Sequence, residues 1–193
     1  MIIPASLTLE TDKVLLRLLK PDNQELLPVA LDPDIWKFMI VKITNTEEFD
    51  EWLKGSIKEW EENKKFPFLI IDKDTGKPAG STSYGNISVP DKRLEIGWTW
   101  LGKTFRGSGL NRHCKFLLLQ YAFEVLQFER VEFKADLLNQ RSRKAMQKLG
   151  ATEEGVLRSH TLMQDGRRRD TIYYSILRSE WPAIKATVFK DLM

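Results

Sequence analysis

The sequence is poor in cysteine and histidine and lacks long hydrophobic runs. Cys114 is the only cysteine, so no disulfide can form within the chain. His113 and His160 are the only histidines and have no partner at a spacing typical of metal ligands, so we expect no metal site. No stretch approaches the roughly 18 apolar residues of a membrane span, and the first ten residues lack the pattern of a signal peptide. These absences predict a cytoplasmic protein without a membrane partner.

A large excess of charge of one sign is also missing. The 30 lysine and arginine residues face 27 aspartate and glutamate residues, for a formal net charge of +3. So small an excess attracts a polyanion only weakly, and we expect no direct binding of nucleic acid. No linker rich in proline, glycine or serine divides the 193 residues, so we predict a single domain over 1–193. We expect a monomer or a homodimer.

The apolar residues follow periodicities that predict seven strands and four main helices in the order β-α-α-β-β-β-α-β-α-β-β. The predicted strands are Val14–Lys20, Phe66–Ile71, Lys77–Val89, Arg93–Leu101, Val131–Ala135, Val156–Met163 and Thr171–Leu177. The predicted helices run over about Asp22–Leu31, from an N-cap at Thr46, from the glycines near 107 to about Gln127, and over Asn139–Gly150, with a short helix after Ser179.

The order of these elements indicates the fold class. The helix between Arg93–Leu101 and Val131–Ala135 is a crossover, so these two strands should run parallel. The neighbouring strands are joined by tight turns and should be antiparallel. The class is therefore α/β of the α+β type, with a mixed, mostly antiparallel central sheet of about six to seven strands and helices on both faces.

The segment Arg106-Gly107-Ser108-Gly109-Leu110 joins a strand to a helix and suits an anion. Free N–H groups and the helix dipole favour negative charge at a helix N-terminus, and glycine lets a phosphate approach the backbone closely. A guanidinium can hold two phosphate oxygens at once. The alternative is a plain tight turn before a helix. The spacings of a P-loop and of a dinucleotide fingerprint are absent.

Several motifs together resemble the GNAT acetyltransferase superfamily, in its RimJ/RimL-like branch. The strand Glu95–Leu101 followed by Thr104–Gly109 is similar to the superfamily's Arg/Gln-x-x-Gly-x-Gly/Ala signature, although Thr104 replaces the usual Arg or Gln. Asn139–Ser142 and Lys148–Ala151 resemble its Asn-x-x-Ser and Lys-Leu-Gly-Phe elements, and the region from Asp165 resembles the closing hairpin of the branch. The resemblance implies a GNAT-like domain with acceptor-side elements at about 21–65, an acetyl-CoA-binding core at about 93–150 and a closing hairpin at about 151–178.

The resemblance implies acetyl-CoA as co-substrate and direct attack on its thioester by an amine. A backbone N–H at Trp100 or Leu101 would polarise the thioester carbonyl, and Asn139 would bind the pantetheine amides besides capping its helix. The implied cofactor-binding residues are Trp98, Thr99, Trp100, Leu101, Arg106, Gly107, Ser108, Gly109, Leu110, Asn111, Asn139 and Ser142.

Two residues are candidates for proton transfer. Glu95 stands where related enzymes place a catalytic base, and an aromatic neighbourhood would raise the pKa of its carboxyl group. The alternative is a glutamate on the solvent face of an amphipathic strand. Many relatives use a tyrosine as the acid, seven residues after the asparagine, but here that position holds Met146, which has no proton to give. Ser142 is therefore the predicted donor to the thiolate.

The acceptor is less well defined than the donor. Trp36 follows Asp32-Pro33-Asp34 in a predicted loop, and we expect it to form a wall of the acceptor site. The three arginines at 167–169 most simply form a solvated turn. The alternative is that they attract an acidic acceptor or the 3′-phosphate of the cofactor. A protein N-terminal α-amine is the expected acceptor. The alternatives are an antibiotic or polyamine acetyltransferase and a non-enzymatic acyl-CoA sensor, which the loss of tyrosine at Met146 would favour.

Overall fold

The computed structural model describes residues 3–193, in which one mixed sheet extends through the whole fold. Met1 and Ile2, which the predicted domain includes, lie outside the described residues. The strands are β1 Thr8–Glu10, β2 Val14–Leu18, β3 Phe66–Asp72, β4 Lys77–Ser88, β5 Arg93–Leu101, β6 Arg130–Asp136, β7 Thr152–Leu162 and β8 Arg168–Leu177. They form one sheet in the order β1-β2-β3-β4-β5-β6-β8-β7.

The strand directions agree with the prediction. β5 and β6 run parallel, and the other neighbouring pairs are antiparallel. The sheet has eight strands instead of about six to seven, because the three-residue β1 pairs with β2. A strand this short, with polar residues at both ends, carries no period-two signal in the sequence.

The helices lie on both faces of the sheet, as predicted. They are α1 Leu27–Ala30, α2 Thr46–Glu61, α3 Leu110–Gln120, α4 Gln140–Lys148 and α5 Trp181–Val188, with 3-10 turns at Gln24–Leu26, Pro33–Phe38, Lys103–Phe105 and Lys190–Leu192 and a π-helical turn at Tyr121–Val125. Alternate residues of a strand point to opposite faces. Phe68 and Ile70 of β3 accordingly pack in the cluster that contains the apolar residues of α3, while Leu69 packs in the cluster that contains Phe49 and Leu53 of α2.

Two predictions about the first helices were wrong in detail. The segment predicted as one helix from Asp22 to Leu31 is a 3-10 turn followed by the four-residue α1. The N-cap of α2 is Asn45 instead of Thr46, because the Asn45 side chain accepts a hydrogen bond from the backbone N–H of Glu48. Glu48 in turn accepts from the backbone and hydroxyl of Thr44. Asparagine and threonine are both good caps, so the sequence alone leaves this boundary open by one residue.

Candidate active site

The parallel strands β5 and β6 separate after three paired residues, and a cleft opens where they part. Their register runs from Arg93 with Arg130 to Glu95 with Glu132. Beyond that point β5 continues to Leu101, paired only with β4, while β6 continues to Asp136, paired with β8. The cleft has a volume of about 1220 Å³, and its lining comes from the 3-10 turn Pro33–Phe38 and the residues after it, α2, β4, β5, β6, α3, α4 and the β7–β8 hairpin.

A bulge in β5 forms one side of this cleft. Ser81 and Ser83 of β4 pair with Trp100 and Gly97, so β5 carries one extra residue between the same two pairs. Trp98, which lies in the bulge, has a φ of 51°, an uncommon backbone conformation for a residue with a bulky side chain. Its indole lies so close to Gly85 that a Cβ there would approach it within 2.4 Å. A bulge leaves backbone groups without a partner in the neighbouring strand and changes the direction of side chains. Backbone groups in this stretch of β5 are therefore available to a ligand.

The glycine loop lies between β5 and α3. Gly107 and Gly109 have φ values of 79° and 92°, and an added Cβ at either would meet open space. Gly109 is the N-cap of α3 and offers no side-chain cap to the helix. The hydroxyl of Ser108 donates to the carbonyl of Phe105 and accepts a long hydrogen bond, 3.4 Å, from the backbone N–H of Leu110. The exposed loop therefore presents an open helix N-terminus, the arrangement that binds phosphate groups elsewhere.

The guanidinium of Arg106 has a partner that the sequence did not predict. Its Nε donates to the carbonyl of Leu101 at 2.9 Å, and its NH2 group donates to the carboxylate of Asp32 at 2.9 Å. Both side chains of this ion pair are 19% exposed. Arg106 thus joins the glycine loop to the segment before the 3-10 turn Pro33–Phe38.

Glu95 is buried, so its interpretation as a residue on a solvent face was wrong. It is 5% exposed, accepts a hydrogen bond from the side chain of Asn86 at 2.6 Å and pairs with the ammonium of Lys134 at 2.8 Å. Burial lowers the pKa of Lys134, but the hydrogen bond and the charge of Glu95 outweigh it and raise the pKa overall. A Cβ on Gly97 would lie 2.8 Å from Glu95 Oε1, so this glycine makes room for the carboxylate. Glu95 therefore lies in the cleft as one half of an ion pair.

The start of α4 forms the opposite side of the cleft. Asn139 caps α4, because its Oδ1 accepts from the backbone N–H of Ser142 at 3.1 Å. The hydroxyl of Ser142 makes no hydrogen bond within residues 3–193, and Ser142 lines the cleft together with Met146. The predicted cap is confirmed, and the amide nitrogen of Asn139 remains available to a ligand.

Trp36 lies in the 3-10 turn Pro33–Phe38, not in a loop. It is only 4% exposed, and its indole N–H donates to the carbonyl of Ala30 at 2.8 Å. Its ring lies 5.4 Å from that of Trp100, which lies 5.7 Å from that of Trp52. These three tryptophans line the cleft as a packed wall, so Trp36 reaches the cleft chiefly as part of the core.

The arginine run 167–169 is not a solvated turn. Arg167 pairs with the buried carboxylate of Asp136, and β8 begins at Arg168. Arg169 lines the cleft and has no carboxylate within salt-bridge distance among residues 3–193. Burial lowers the pKa of its guanidinium, although Asp136 and Glu95 act in the opposite direction. Arg169 therefore brings a partly desolvated positive charge to the cleft.

Sequence reasoning missed Lys115. This residue of α3 is 6% exposed, and it lines the cleft. Its ammonium donates to the hydroxyls of Thr99 at 2.6 Å and Thr82 at 3.3 Å. A signal was present in the sequence, because Lys115 stands between Cys114 and the apolar run Phe116–Leu119, on a helix face that otherwise belongs to the core.

Comparison with known proteins identifies the family. The family described as "Acetyltransferase (GNAT) domain" matches residues 13–152. The chain belongs to the GNAT acetyltransferase family. It is similar to a protein of Bacillus subtilis (strain 168) named "Putative ribosomal N-acetyltransferase YdaF", with 36% identity over 110 residues that cover 57% of this chain and 59% of the relative. The match thus spans less than two thirds of that relative.

Two further similarities extend over more of the GNAT fold. A protein of Bacillus licheniformis named "Uncharacterized N-acetyltransferase p20" is 27% identical over 90% of this chain and 98% of its own length. A solved GCN5-related N-acetyltransferase from Brucella melitensis has a TM-score of 0.91 and 30% identity, covering 98% of this chain and 87% of that chain. The predicted family and single α/β fold are confirmed, the name of the Bacillus subtilis relative supports the RimJ/RimL-like branch, and the protein is an N-acetyltransferase.

Residues 3–193 of this acetyltransferase lack two features. No helix there has both the length and the apolar character needed to cross a membrane. No group of three or more His, Cys, Asp and Glu residues in this part of the chain could hold a metal ion.

The single thiol of this acetyltransferase should be inert in the folded protein. Cys114 is a fully buried residue of α3 that packs in the core, and burial raises the pKa of its thiol to about 12. Because the thiolate is the reactive form, we expect iodoacetamide to leave the native protein unmodified at pH 8 and to alkylate it fully in urea. Intact mass measurement with and without denaturant distinguishes these states, and rapid native alkylation would contradict the burial.

Proposed function

We propose that this enzyme transfers the acetyl group of acetyl-CoA to a primary amine and that the preferred acceptor is the α-amine of a protein or peptide N terminus. The observation that carries this proposal is the divergence of β5 from β6 beside the open glycine loop. One continuous cleft there is lined by residues of the glycine loop, β5 and α4, so it could hold the acyl donor and the amine together. A protein acceptor fits the cytoplasmic location that the sequence predicts.

The donor would occupy the core at about 93–150. Backbone N–H groups from Gly107 to Asn111 would bind the pyrophosphate, supported by the positive φ of both glycines and the open N-terminus of α3. The pantetheine arm would follow Trp98–Leu101, opposite the amide of Asn139. Arg106 could add a phosphate contact through its remaining N–H groups while its NH2 group stays on Asp32.

The reaction would be a direct attack of the neutral amine on the thioester carbonyl, without an acyl-enzyme intermediate. A backbone N–H at Trp100 or Leu101, next to the β5 bulge, would stabilise the developing oxyanion. Glu95 would take the proton of the acceptor ammonium, directly or through water, from its position in the ion pair with Lys134. Ser142 would donate a hydrogen bond to the departing sulfur, since its hydroxyl has no other partner within residues 3–193.

The charges at the cleft favour a peptide over a polyamine. Of the six acidic residues that line it, only Glu48 and Glu51 have no ion-pair partner within residues 3–193; the other four pair with basic side chains (Glu59 with Lys65, Glu62 with Lys64, Glu95 with Lys134 and Asp136 with Arg167). A polycation would need free carboxylates. Arg169 instead offers a guanidinium that can bind a carboxylate in a bidentate manner. We therefore propose that acceptors with an acidic group close to the reactive amine are preferred.

A panel of acceptors tests the proposal. Thiol release from acetyl-CoA should be fastest with short peptides that carry a free N terminus and an aspartate at the second position. The same peptides with alanine at that position should have a KM raised several-fold, and Arg169→Gln should remove the difference. N-terminally blocked versions of both peptides, which differ from the substrates by one formyl group, are the matched controls and should release no thiol.

Two outcomes would redirect this proposal. Faster turnover of spermidine or an aminoglycoside than of any peptide would assign the enzyme to small amines. Tight binding of acetyl-CoA with no thiol release over the whole panel would support the sensor that the methionine at position 146 allows.

A further inference from the structure

Lys115 has an environment that a purely structural lysine does not explain. The ammonium is buried, its neighbours on α3 are apolar, and its hydrogen bonds go to two threonine hydroxyls. No carboxylate lies within salt-bridge distance of it among residues 3–193. Burying an unpaired charge is unfavourable, and a methionine at this site would fill the same space without that penalty. A buried titratable group that lines a cleft is a candidate for chemistry.

The position of Lys115 in the cleft indicates which step of the reaction it could perform. Thr99, its nearer partner, follows the strained Trp98 in the part of β5 that has no β6 neighbour. Ser142 and Met146 line the same cleft from α4. Lys115 therefore contacts the β5 segment proposed to bind the pantetheine arm and lines the same cleft as the α4 residues proposed to meet the sulfur. Of the groups lining this region, an ammonium is best suited to supply a proton.

We propose that Lys115 is a catalytic residue that donates the proton to the departing thiolate of coenzyme A. This inference rests on the proposed function. The amine nitrogen attacks the carbonyl carbon, and the carbon–sulfur bond breaks with its electron pair on sulfur. The sulfur then takes a proton from Nζ of Lys115, and the proton that the new amide nitrogen releases returns to Lys115 through water. The reaction consumes no other reagent, and Lys115 assumes the task for which Met146 has no proton.

The electrostatics of the site support this role. From β4 and β5 only the hydroxyls of Thr82 and Thr99 face the ammonium. Burial lowers the pKa of Lys115 to about 8, and the other titratable group acting on it, the Cys114 thiol of the same helix, is neutral at this pH. None of the charged residues that line the cleft, among them Glu95, Lys134, Arg141 and Arg169, makes a hydrogen bond to it in the described chain. A cysteine thiol has an ordinary pKa of roughly 8.5, so the pKa of Lys115 is close to that of an alkyl thiol, which favours efficient proton transfer between them.

Single-turnover thiol release with saturating acetyl-CoA and peptide tests the assignment. Lys115→Met should slow the chemical step about 100-fold, within the range of general acid catalysis, with the Kd for acetyl-CoA changed less than threefold. Lys144→Met, which removes an exposed lysine from α4 outside the cleft lining, should match the wild type. The hydroxyls of Thr82 and Thr99 lie 2.7 Å apart and can bond to each other, so Lys115→Met leaves neither of them unpaired.

The pH profile separates proton donation from a structural role. In the wild type, the rate should fall as the pH rises through about 8, because Lys115 loses the proton it must donate. Lys115→Arg keeps the positive charge but holds its proton at every pH of the assay, so the variant should be slow and should lack this fall. It also tests the role if Lys115→Met fails to fold.

Three results bear against the proposal in different ways. A Lys115→Met enzyme with the wild-type chemical rate would overturn it. Acetyl-CoA alone placing an acetyl group on Lys115, seen as a mass increase on the peptide that contains it, would make the residue a nucleophile and overturn it as a proton donor. Absence of thiol release by the wild type itself would instead remove the proposed function on which the inference rests.

Discussion

Replacing both Gly107 and Gly109 with alanine should weaken acetyl-CoA binding more than tenfold, a loss of at least about 1.4 kcal/mol. Both glycines have positive φ values, and the space beside each Cα is open. A methyl group would therefore stand where we propose that the pyrophosphate approaches the backbone. The left-handed conformation would cost about 1–2 kcal/mol per residue in addition. Isothermal titration with acetyl-CoA measures the affinity, and thermal unfolding measures the strain.

Gly76 provides the matched control for this loop. It has a φ of 69° and open space beside its Cα, but it lies in the turn between β3 and β4. Gly76→Ala should lower the melting temperature about as much as either loop substitution alone and should leave the affinity for acetyl-CoA unchanged. Equal affinities in the Gly76 and the Gly107/Gly109 variants would show that the loop does not bind the pyrophosphate.

Gly80→Ala should be the most destabilising single methyl addition in this fold. A Cβ on Gly80 would lie 2.0 Å from the carbonyl oxygen of Trp100 and 2.9 Å from its carbon. Both atoms belong to the backbone of β5, which is paired with β4 at this point, so no side-chain rotation relieves the clash. We expect a loss of about 3 kcal/mol or more, which for a chain of this length corresponds to a fall in Tm of roughly 6–12 °C.

Gly55→Ala adds the same methyl group but should have the opposite effect on stability. Gly55 lies in the middle of α2, and a Cβ added to it would meet no atom within 4 Å outside its own helix backbone and its chain neighbours. Alanine loses less conformational entropy than glycine on entering a helix, so this variant should gain about 0.5–1 kcal/mol. Differential scanning calorimetry of the two variants compares them directly. A Gly80→Ala protein as stable as the wild type would mean that β4 and β5 are farther apart there than the structure has them.

The parts of the fold that the sequence predicts are those with local signals. The β3–β4–β5 meander has continuous apolar or alternating strands bounded by turn residues, and the crossover between β5 and β6 requires their parallel direction. The cap at Asn139 and the glycine loop likewise depend on residues close together in the chain. β1 has only three residues, and its place in the sheet depends on pairing with β2 instead of on a pattern of its own.

The site is less predictable because its contacts join distant parts of the chain. Asp32 and Arg106 are 74 residues apart, and no local pattern indicates that a carboxylate from the acceptor side would hold the guanidinium. Glu95 could be recognised as a candidate base, but its partner Lys134 comes from the next strand of the sheet. The partners of Arg169 and Lys115 depend in the same way on strand register. Of these two residues, only Lys115 had a signal in the sequence, because it is a charged residue within an apolar helical run.

The ion pair between Arg106 and Asp32 would couple the two proposed substrate sites thermodynamically. The guanidinium belongs to the glycine loop, and the carboxylate precedes the 3-10 turn that holds Trp36 against Trp100. A donor phosphate that binds the remaining N–H groups of Arg106 would share the guanidinium charge with Asp32 and so change the free energy of the acceptor wall. Such coupling is reciprocal, so an acceptor that displaces Asp32 must alter the affinity for acetyl-CoA by the same factor. Each substrate would therefore change the affinity for the other through a single ion pair that lies outside the reacting atoms.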